Sequence, residues 1–185
     1  MTTVRTVPLV KTVASANNKA MRPALSRFSE CHAEEFAAAA RRSRTLHGPW
    51  VSPPVEASKA AGLAARRSGP TDFGFVIHEH DTSEIAGFIE ITSIVRGPFQ
   101  SGYLGYYMFS GFERRGYMRW ALQTVIKQAW KIHKLHRLEA NIQPENSASI
   151  ALVKSLGFRQ EGYSPRYLKI RGRWRDHERW AILAS

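Results

Sequence analysis

A single cysteine, Cys31, stands among the 185 residues, so the chain can form neither an intrachain disulfide nor a multi-cysteine zinc site. That fits a reducing compartment, and the cytoplasm is the expected location. Long apolar runs are missing as well. No stretch approaches the roughly 20 residues that a membrane-spanning helix needs, and the N-terminus lacks the apolar centre and cleavage site of a signal peptide. The expectation is a soluble protein without a membrane partner. Acids are scarce beside bases, 15 against 27, which leaves a net charge of +12. Residues 1 to 29 hold Arg5, Lys11, Lys19, Arg22 and Arg27 and no acid at all. Mitochondrial transit peptides share that composition, but a basic N-terminal arm accounts for the same residues. The chain therefore divides into a basic arm with a first strand over 1–27 and one domain over 28–185.

The positive excess is not the work of one tail. Residues 1–72 carry eleven bases and five acids, and residues 73–185 carry sixteen and ten, so each part contributes +6. Such a spread suits an anionic partner, whether a phosphate-rich cofactor, a ribosomal surface or a nucleic acid. It also serves plain solubility.

The most informative segment runs from Gly105 to Met118. An apolar strand, Gly105-Tyr106-Tyr107-Met108, enters a short loop, Glu113-Arg114-Arg115-Gly116, that opens a helix at Tyr117-Met118. Backbone N–H groups at a helix start, two arginines and a glycine that lets the backbone come close form a cradle for pyrophosphate. Gly111 and Gly116 are spaced as in a nucleotide-triphosphate loop. Tyr117-Met118, however, stands where such a loop needs Lys-Ser/Thr to hold phosphate and magnesium.

Around this loop the periodicities sort into elements. Ser29 can cap a helix that runs through Phe36 and the alanines to about Arg44. Residues 51–70 read as a loop with a short helix over Ala57 to Ala65. Strands are predicted for Phe73–Glu79, Glu84–Val95 and Gly102–Phe109, joined by short links that imply an antiparallel meander. A long helix follows from Gly116 to His133, with Met118, Leu122, Val125, Ile126 and Ala129 on one face. Residues 135–143 alternate as a half-buried strand. Pro144-Glu145-Asn146 opens a second helix that Gly157 closes in the left-handed conformation. Tyr163–Ile170 and Arg175–Leu183 complete the pattern as strands. The fold class is α+β, a mixed but mostly antiparallel central sheet flanked by helices in a single domain.

The order strand, Arg-Arg-Gly-Tyr-Met, helix, strand, Pro144-Glu145-Asn146-Ser147-Ala148-Ser149, helix, Leu156-Gly157-Phe158 resembles the GNAT superfamily of acetyl-CoA-dependent N-acetyltransferases. Three further segments, Ser93 to Gln100, Leu104-Gly105-Tyr106 and Gly172-Arg173-Trp174-Arg175-Asp176-His177, are similar to its RimJ branch, which acetylates N-terminal alanine of ribosomal proteins. The resemblance covers about Phe73 to Leu183. It implies acetyl-CoA as acetyl donor, no metal, and a protein or peptide N-terminus as acceptor, with association at the ribosome. It also implies that the backbone of Tyr106, Tyr107 and Met108 pairs with the pantetheine arm. By the same resemblance Arg114, Arg115, Gly116, Tyr117 and Met118 take the pyrophosphate, with Arg119 directly behind them. Asn146 either bonds the pantetheine or caps its helix, and Ser149 faces the thioester sulfur. The chain departs from the family at Glu113, where Gln or Arg is usual, at Met118, where a small residue is common, and at Val153, which occupies the place of a frequent general-acid tyrosine.

Acetyl transfer requires a neutral amine, a proton acceptor and a stabiliser for the oxyanion. Glu90 on the central strand and Glu139 beside Asn141 are the candidate bases, and the backbone N–H of Met108 is the candidate oxyanion donor. Trp50 and Trp174 are expected near the acceptor entrance together with Asn141. Among the histidines, His78 and His80 read as surface residues, and His133 and His136 as cations at a helix end. Two other readings stay open: acetylation of a small amine such as an amino acid, a polyamine or an antibiotic, and a nucleic-acid or ribosome-binding module that keeps the fold without the chemistry.

Overall fold

The computed structural model describes residues 23–184. The basic arm lies outside this range except for its last residues, where Ala24–Arg27 forms strand β1. A 3₁₀ turn over Glu30–His32 leads into α1, Ala33–Arg42. The expected cap at Ser29 thus serves the turn, where the Ser29 N–H donates to His32 Nδ1 at 3.1 Å. Acids Glu34 and Glu35 occupy the first turn of α1 and Arg41 and Arg42 the last, as the helix dipole favours. A short helix, α2 (Arg44–His47), and α3 (Ala57–Arg66) follow.

From Phe73 the chain builds β2 (Phe73–His78), β3 (Ile85–Val95) and β4 (Ser101–Met108), the expected antiparallel meander. Then come α4 (Tyr117–Lys131), β5 (Arg137–Ile142), α5 (Ser147–Ser155), β6 (Arg159–Ile170) and β7 (Arg173–Leu183). The seven strands lie in the order β1-β2-β3-β4-β5-β7-β6, and every pairing is antiparallel except β4 with β5. The architecture is the α+β arrangement that the periodicities imply.

Alternation along the strands sends Phe88 and Tyr107 to one face of the sheet, where their rings join Phe28, Phe36 and Phe109 in a buried aromatic cluster. α1 and α3 cover this face. Ile77, Ile89, Ile91 and Leu104 are buried on the other, the side of α4 with its Leu122, Val125 and Ala129. His133, just past α4, stacks on Phe73 at 4.1 Å. Burial first, then Arg27 and Arg96, hold its pKa below the usual histidine value, so this ring is neutral where a helix-end cation was expected. His78 is engaged with Ser26 and the Ser83 carbonyl, and exposed His80 pairs with Asp81.

The pairing that matters for function is the parallel one. β4 and β5 are in register over three residues each, Ser101↔Arg137 to Tyr103↔Glu139, and then part. Leu104–Met108 and Ala140–Ile142 diverge, and β5 pairs onward with β7 alone. Arg137 secures the base of this opening. It bonds Glu139 on its own strand and Glu161 on β6, and those carboxylates raise its pKa.

Candidate active site

The divergence of β4 from β5 leaves a cleft of about 540 Å³. Antiparallel geometry decides what its β4 wall offers. The Phe109 N–H donates to the Ala86 carbonyl at 2.8 Å, and Phe109 lies opposite Ala86 in register. Bonded and non-bonded pairs alternate along such a ladder, so Phe109 and Tyr107 spend their backbone groups on β3. Tyr106 and Met108 turn theirs towards the cleft. Two N–H groups on an unpaired strand edge are what an extended amide-bearing chain needs in order to add itself to the sheet.

At the end of β4 this edge meets the Glu113–Gly116 loop. Gly116 sits at φ +79° immediately before α4, a left-handed conformation, and a Cβ built on it would have nothing within 4 Å. Room for a ligand is therefore left above the backbone. Arg114 also takes positive φ, +62°, and lines the cleft with Gly116, Tyr117, Met118 and Arg119. Arg115 lies outside the lining. It is half-exposed, sits over the Phe112 ring and stands 4.0 Å from Glu79, beside a neighbouring depression. Glu113 turns back into the loop and accepts the Gly111 N–H at 2.8 Å, which keeps its charge occupied. Met118 is buried, as its side chain must be if it is to replace a small residue without obstructing the loop.

The loop is anchored from below by Glu79. This buried carboxylate accepts the N–H groups of Asp81 and Thr82, the Thr82 hydroxyl and the Tyr117 hydroxyl, and these bonds, led by the Thr82 N–H, lower its pKa against its burial. No sequence motif announced Glu79. Its one signal was an acid beside a turn, Asp81-Thr82-Ser83.

On the opposite wall Asn146 caps α5, its Oδ1 accepting the Ser149 N–H at 3.2 Å. Its amide nitrogen is thereby left for other partners, and both residues line the cleft. The Tyr106 hydroxyl donates to the Ser149 carbonyl, and burial raises the phenol's pKa far enough to keep it neutral. Val153, in the position of the family's tyrosine, is fully buried in the core. The Ser149 side chain is the hydroxyl that α5 presents at the cleft.

Trp50 and Asn141 also reach the lining. Gln143, buried just past the end of β5, donates its Nε2 protons to the carbonyls of Pro49 and Trp50, and so fastens the segment after α2 to the cleft. The Asn141 Oδ1 is buried without a hydrogen-bond partner. Besides Arg115, three expected residues are not brought to the cleft. Glu90 faces α3, where Arg67 Nε donates to it at 2.6 Å. Glu139 lies at the fork, held by Arg137 at 2.7 Å. Trp174, near the start of β7, is 59% exposed. Each of these carboxylates has an arginine partner, and Trp174 lies beyond the reach of β5.

Two histidines at the cleft carried no expectation from the sequence, His47 and His177. His47 Nε2–H donates to the Met108 carbonyl at 2.8 Å, with its ring edge-on to Tyr107 and Phe109. His177 Nδ1 lies 3.0 Å from the Arg175 carbonyl. Both are 3% exposed, and burial is the main reason that both pKa values fall below the usual histidine range. Their signal was long-range: α2 and β7 meet at the cleft only in the folded sheet. Among the described residues no three His, Cys, Asp or Glu side chains come together as a metal site, and no helix is long and apolar enough to cross a membrane.

A sheet forked between two parallel strands, with an open backbone edge leading into an arginine-glycine loop at a helix start, offers an extended ligand with an anionic end a place between β4 and β5. The chain belongs to the acetyltransferase (GNAT) domain family, whose model matches residues 22–159. It is 39% identical over 105 residues to the ribosomal protein uS5-alanine N-acetyltransferase of Escherichia coli (strain K12), a match covering 57% of this chain and 54% of that protein. The probable N-acetyltransferase YjcK of Bacillus subtilis is 32% identical over 112 residues, 60% of this chain and 62% of its own. The matched stretch thus spans a little over half the length of these curated relatives. Among solved structures, Mycobacterium smegmatis RimJ in complex with CoA-disulfide superimposes with a TM-score of 0.78 at 26% identity, covering 86% of this chain and 81% of that one. The ribosomal-protein-S5-alanine acetyltransferase of Vibrio fischeri gives the same TM-score at 27% identity, over 86% and 91%.

Proposed function

We propose that this chain is a cytoplasmic acetyl-CoA-dependent N-acetyltransferase whose acceptor is the N-terminal α-amine of a protein, ribosomal proteins foremost. The observation that carries the reading is the open edge of Tyr106 and Met108 running into the Arg114–Gly116 loop. The edge supports an extended pantetheine arm, and the loop offers positive charge and backbone N–H groups to the pyrophosphate. Arg119 stands close enough to share that charge, and Arg115 acts from the rim. The thioester carbonyl then lies near the outward N–H groups of β4, and Met108, fixed through its own carbonyl by His47, is the oxyanion donor. Ser149 faces the sulfur.

The acceptor side favours a peptide end over a polyamine. Glu113 is the one acid among the described lining residues, and its carboxylate is already bonded within the loop. A site for a polycation needs several free carboxylates. Asn141 on β5 and Gln143 just past its end, with Trp50 opposite, instead present amide groups and an aromatic edge, which suit a chain terminus. The names of the E. coli and V. fischeri relatives point the same way.

The test is free-thiol release from acetyl-CoA with peptides beginning Ala, Ser and Met, beside polyamines and free amino acids, with Arg114→Glu as control. Turnover on Ala-initial peptides that the control abolishes supports the reading. Turnover confined to small amines moves the substrate class. Absence of both turnover and acetyl-CoA binding removes the enzyme, and steep salt-dependent RNA binding would then favour a binding module.

A further inference from the structure

The cleft needs a proton acceptor, and the two carboxylates expected to serve are held by arginines away from its lining. The remaining groups can be sorted by their bonds. Tyr106 and Tyr117 donate their hydroxyl protons to the Ser149 carbonyl and to Glu79, and burial keeps Tyr107 protonated. Glu113 belongs to the loop at the pyrophosphate end. Two imidazoles are left.

A backbone carbonyl can only accept, so each carbonyl fixes the tautomer of the ring that bonds it. In His47 the proton is on Nε2, and the lone pair is on Nδ1, which is wholly enclosed without a partner. In His177 Nδ1–H donates to the Arg175 carbonyl, and the lone pair is on Nε2. That atom has no hydrogen-bond partner among the described residues, and the side chain lines the cleft. The strand register places it on the acceptor side. Ile142 pairs with Glu178, so His177 lies one step on, opposite Gln143, and shares the sheet face of Asn141 and Gln143. Two carboxylates bear on the ring, Asp176 on its own strand and Glu145 from the loop before α5, while β6 contributes the Tyr167 ring at 6.0 Å. Asp176 is itself occupied by the Tyr163 hydroxyl and the Arg166 N–H. Burial outweighs both charges, so the ring is neutral at pH 7.

We propose that His177 Nε2 accepts the proton of the attacking amine. This inference rests on the acetyltransferase reading above. The amine nitrogen forms the new C–N bond to the thioester carbonyl carbon, and one of its protons passes to Nε2. The C–S bond then breaks with its electron pair on sulfur. The imidazolium returns the proton to the thiolate through the Ser149 hydroxyl or water, leaving amide, free thiol and a neutral ring. His47 is a positioning residue for Met108.

Two measurements test the assignment. The first is the ¹⁵N spectrum of the His177 ring in the unaltered protein, which needs no turnover: a neutral ring protonated on Nδ1 at pH 7 is expected. A proton on Nε2, or a charged ring at pH 7, overturns the proposal while leaving the acetyltransferase reading intact. The second is the pH profile of His177→Gln. In the unaltered enzyme kcat/KM falls with slope one below the pKa of the acceptor α-amine, about 8, and steepens to slope two below the histidine's own pKa, beneath 6.5. His177→Gln should lose about 10²- to 10⁴-fold in kcat, bind acetyl-CoA unchanged and keep slope one throughout. Retained slope two, or a kcat within a few-fold of the unaltered enzyme, assigns the proton to another acceptor.

Discussion

Gly116 and Asn146 show how single residues set this cleft. A side chain at Gly116 must adopt φ +79°, a strain of about 1–2 kcal/mol for a residue with a Cβ, and would intrude on the space above the loop. Gly116→Val is therefore expected to lower the melting temperature modestly and to weaken acetyl-CoA binding far more, as calorimetry with and without the cofactor can show. Asn146→Ala removes the α5 cap, which costs about 1 kcal/mol, and denaturant titration reads that directly. Both residues were visible in the sequence, because turn glycines and helix caps are local devices. His47, Glu79 and His177 were not. His47 and Glu79 act through partners far along the chain, Met108 61 residues from His47 and Tyr117 38 from Glu79, and His177 reaches the cleft only because β7 pairs with the distant β5. Glu90 and Glu139 lie off the cleft lining, Glu90 paired with Arg67 from 23 residues away and Glu139 with Arg137 on its own strand, and a strand carboxylate does not by itself reveal such a pairing.

At the scale of elements, the turn between β2 and β3 governs the loop between β4 and α4. Glu79 holds Tyr117 at the first position of α4, and four hydrogen bonds lower its pKa. A carboxylate depressed in the folded state contributes stability above its unfolded pKa, and that contribution is lost as pH falls through the folded value. Glu79→Gln should thus lose stability at neutral pH and show a weaker acid dependence below about pH 4.5, where the unfolded carboxyl protonates. Urea midpoints across pH 3 to 7 give the comparison. The elements themselves were legible to within a few residues, because period-two and helical alternation survive wherever a strand or helix buries one face. What alternation could not foretell was how far β4 and β5 stay together, since register between distant parallel strands depends on the intervening α4 and on the packing beneath it.

For the molecule as a whole the dominant quantity is the charge of +12. Encounter with an anionic partner such as acetyl-CoA is accelerated by that field and screened by salt. The apparent KM for acetyl-CoA is expected to rise between 50 and 300 mM salt, while kcat changes little, because screening acts on the encounter of separated charges and not on the bond-making step. A basic ribosomal protein free in solution gains nothing from the same field. If the acceptor is such a protein, acetylation should proceed faster on it bound to RNA than alone, as mass spectrometry of timed reactions would reveal.

The fork between β4 and β5 is a slot through the sheet. Tyr106, Met108 and α5 border it on one face, and His47, Trp50 and His177 on the other. Donor and acceptor can each occupy their own mouth at the same moment. Neither has to leave before the other arrives, so initial-rate plots should intersect instead of running parallel, and no acetylated form of the protein should accumulate when acetyl-CoA is supplied alone.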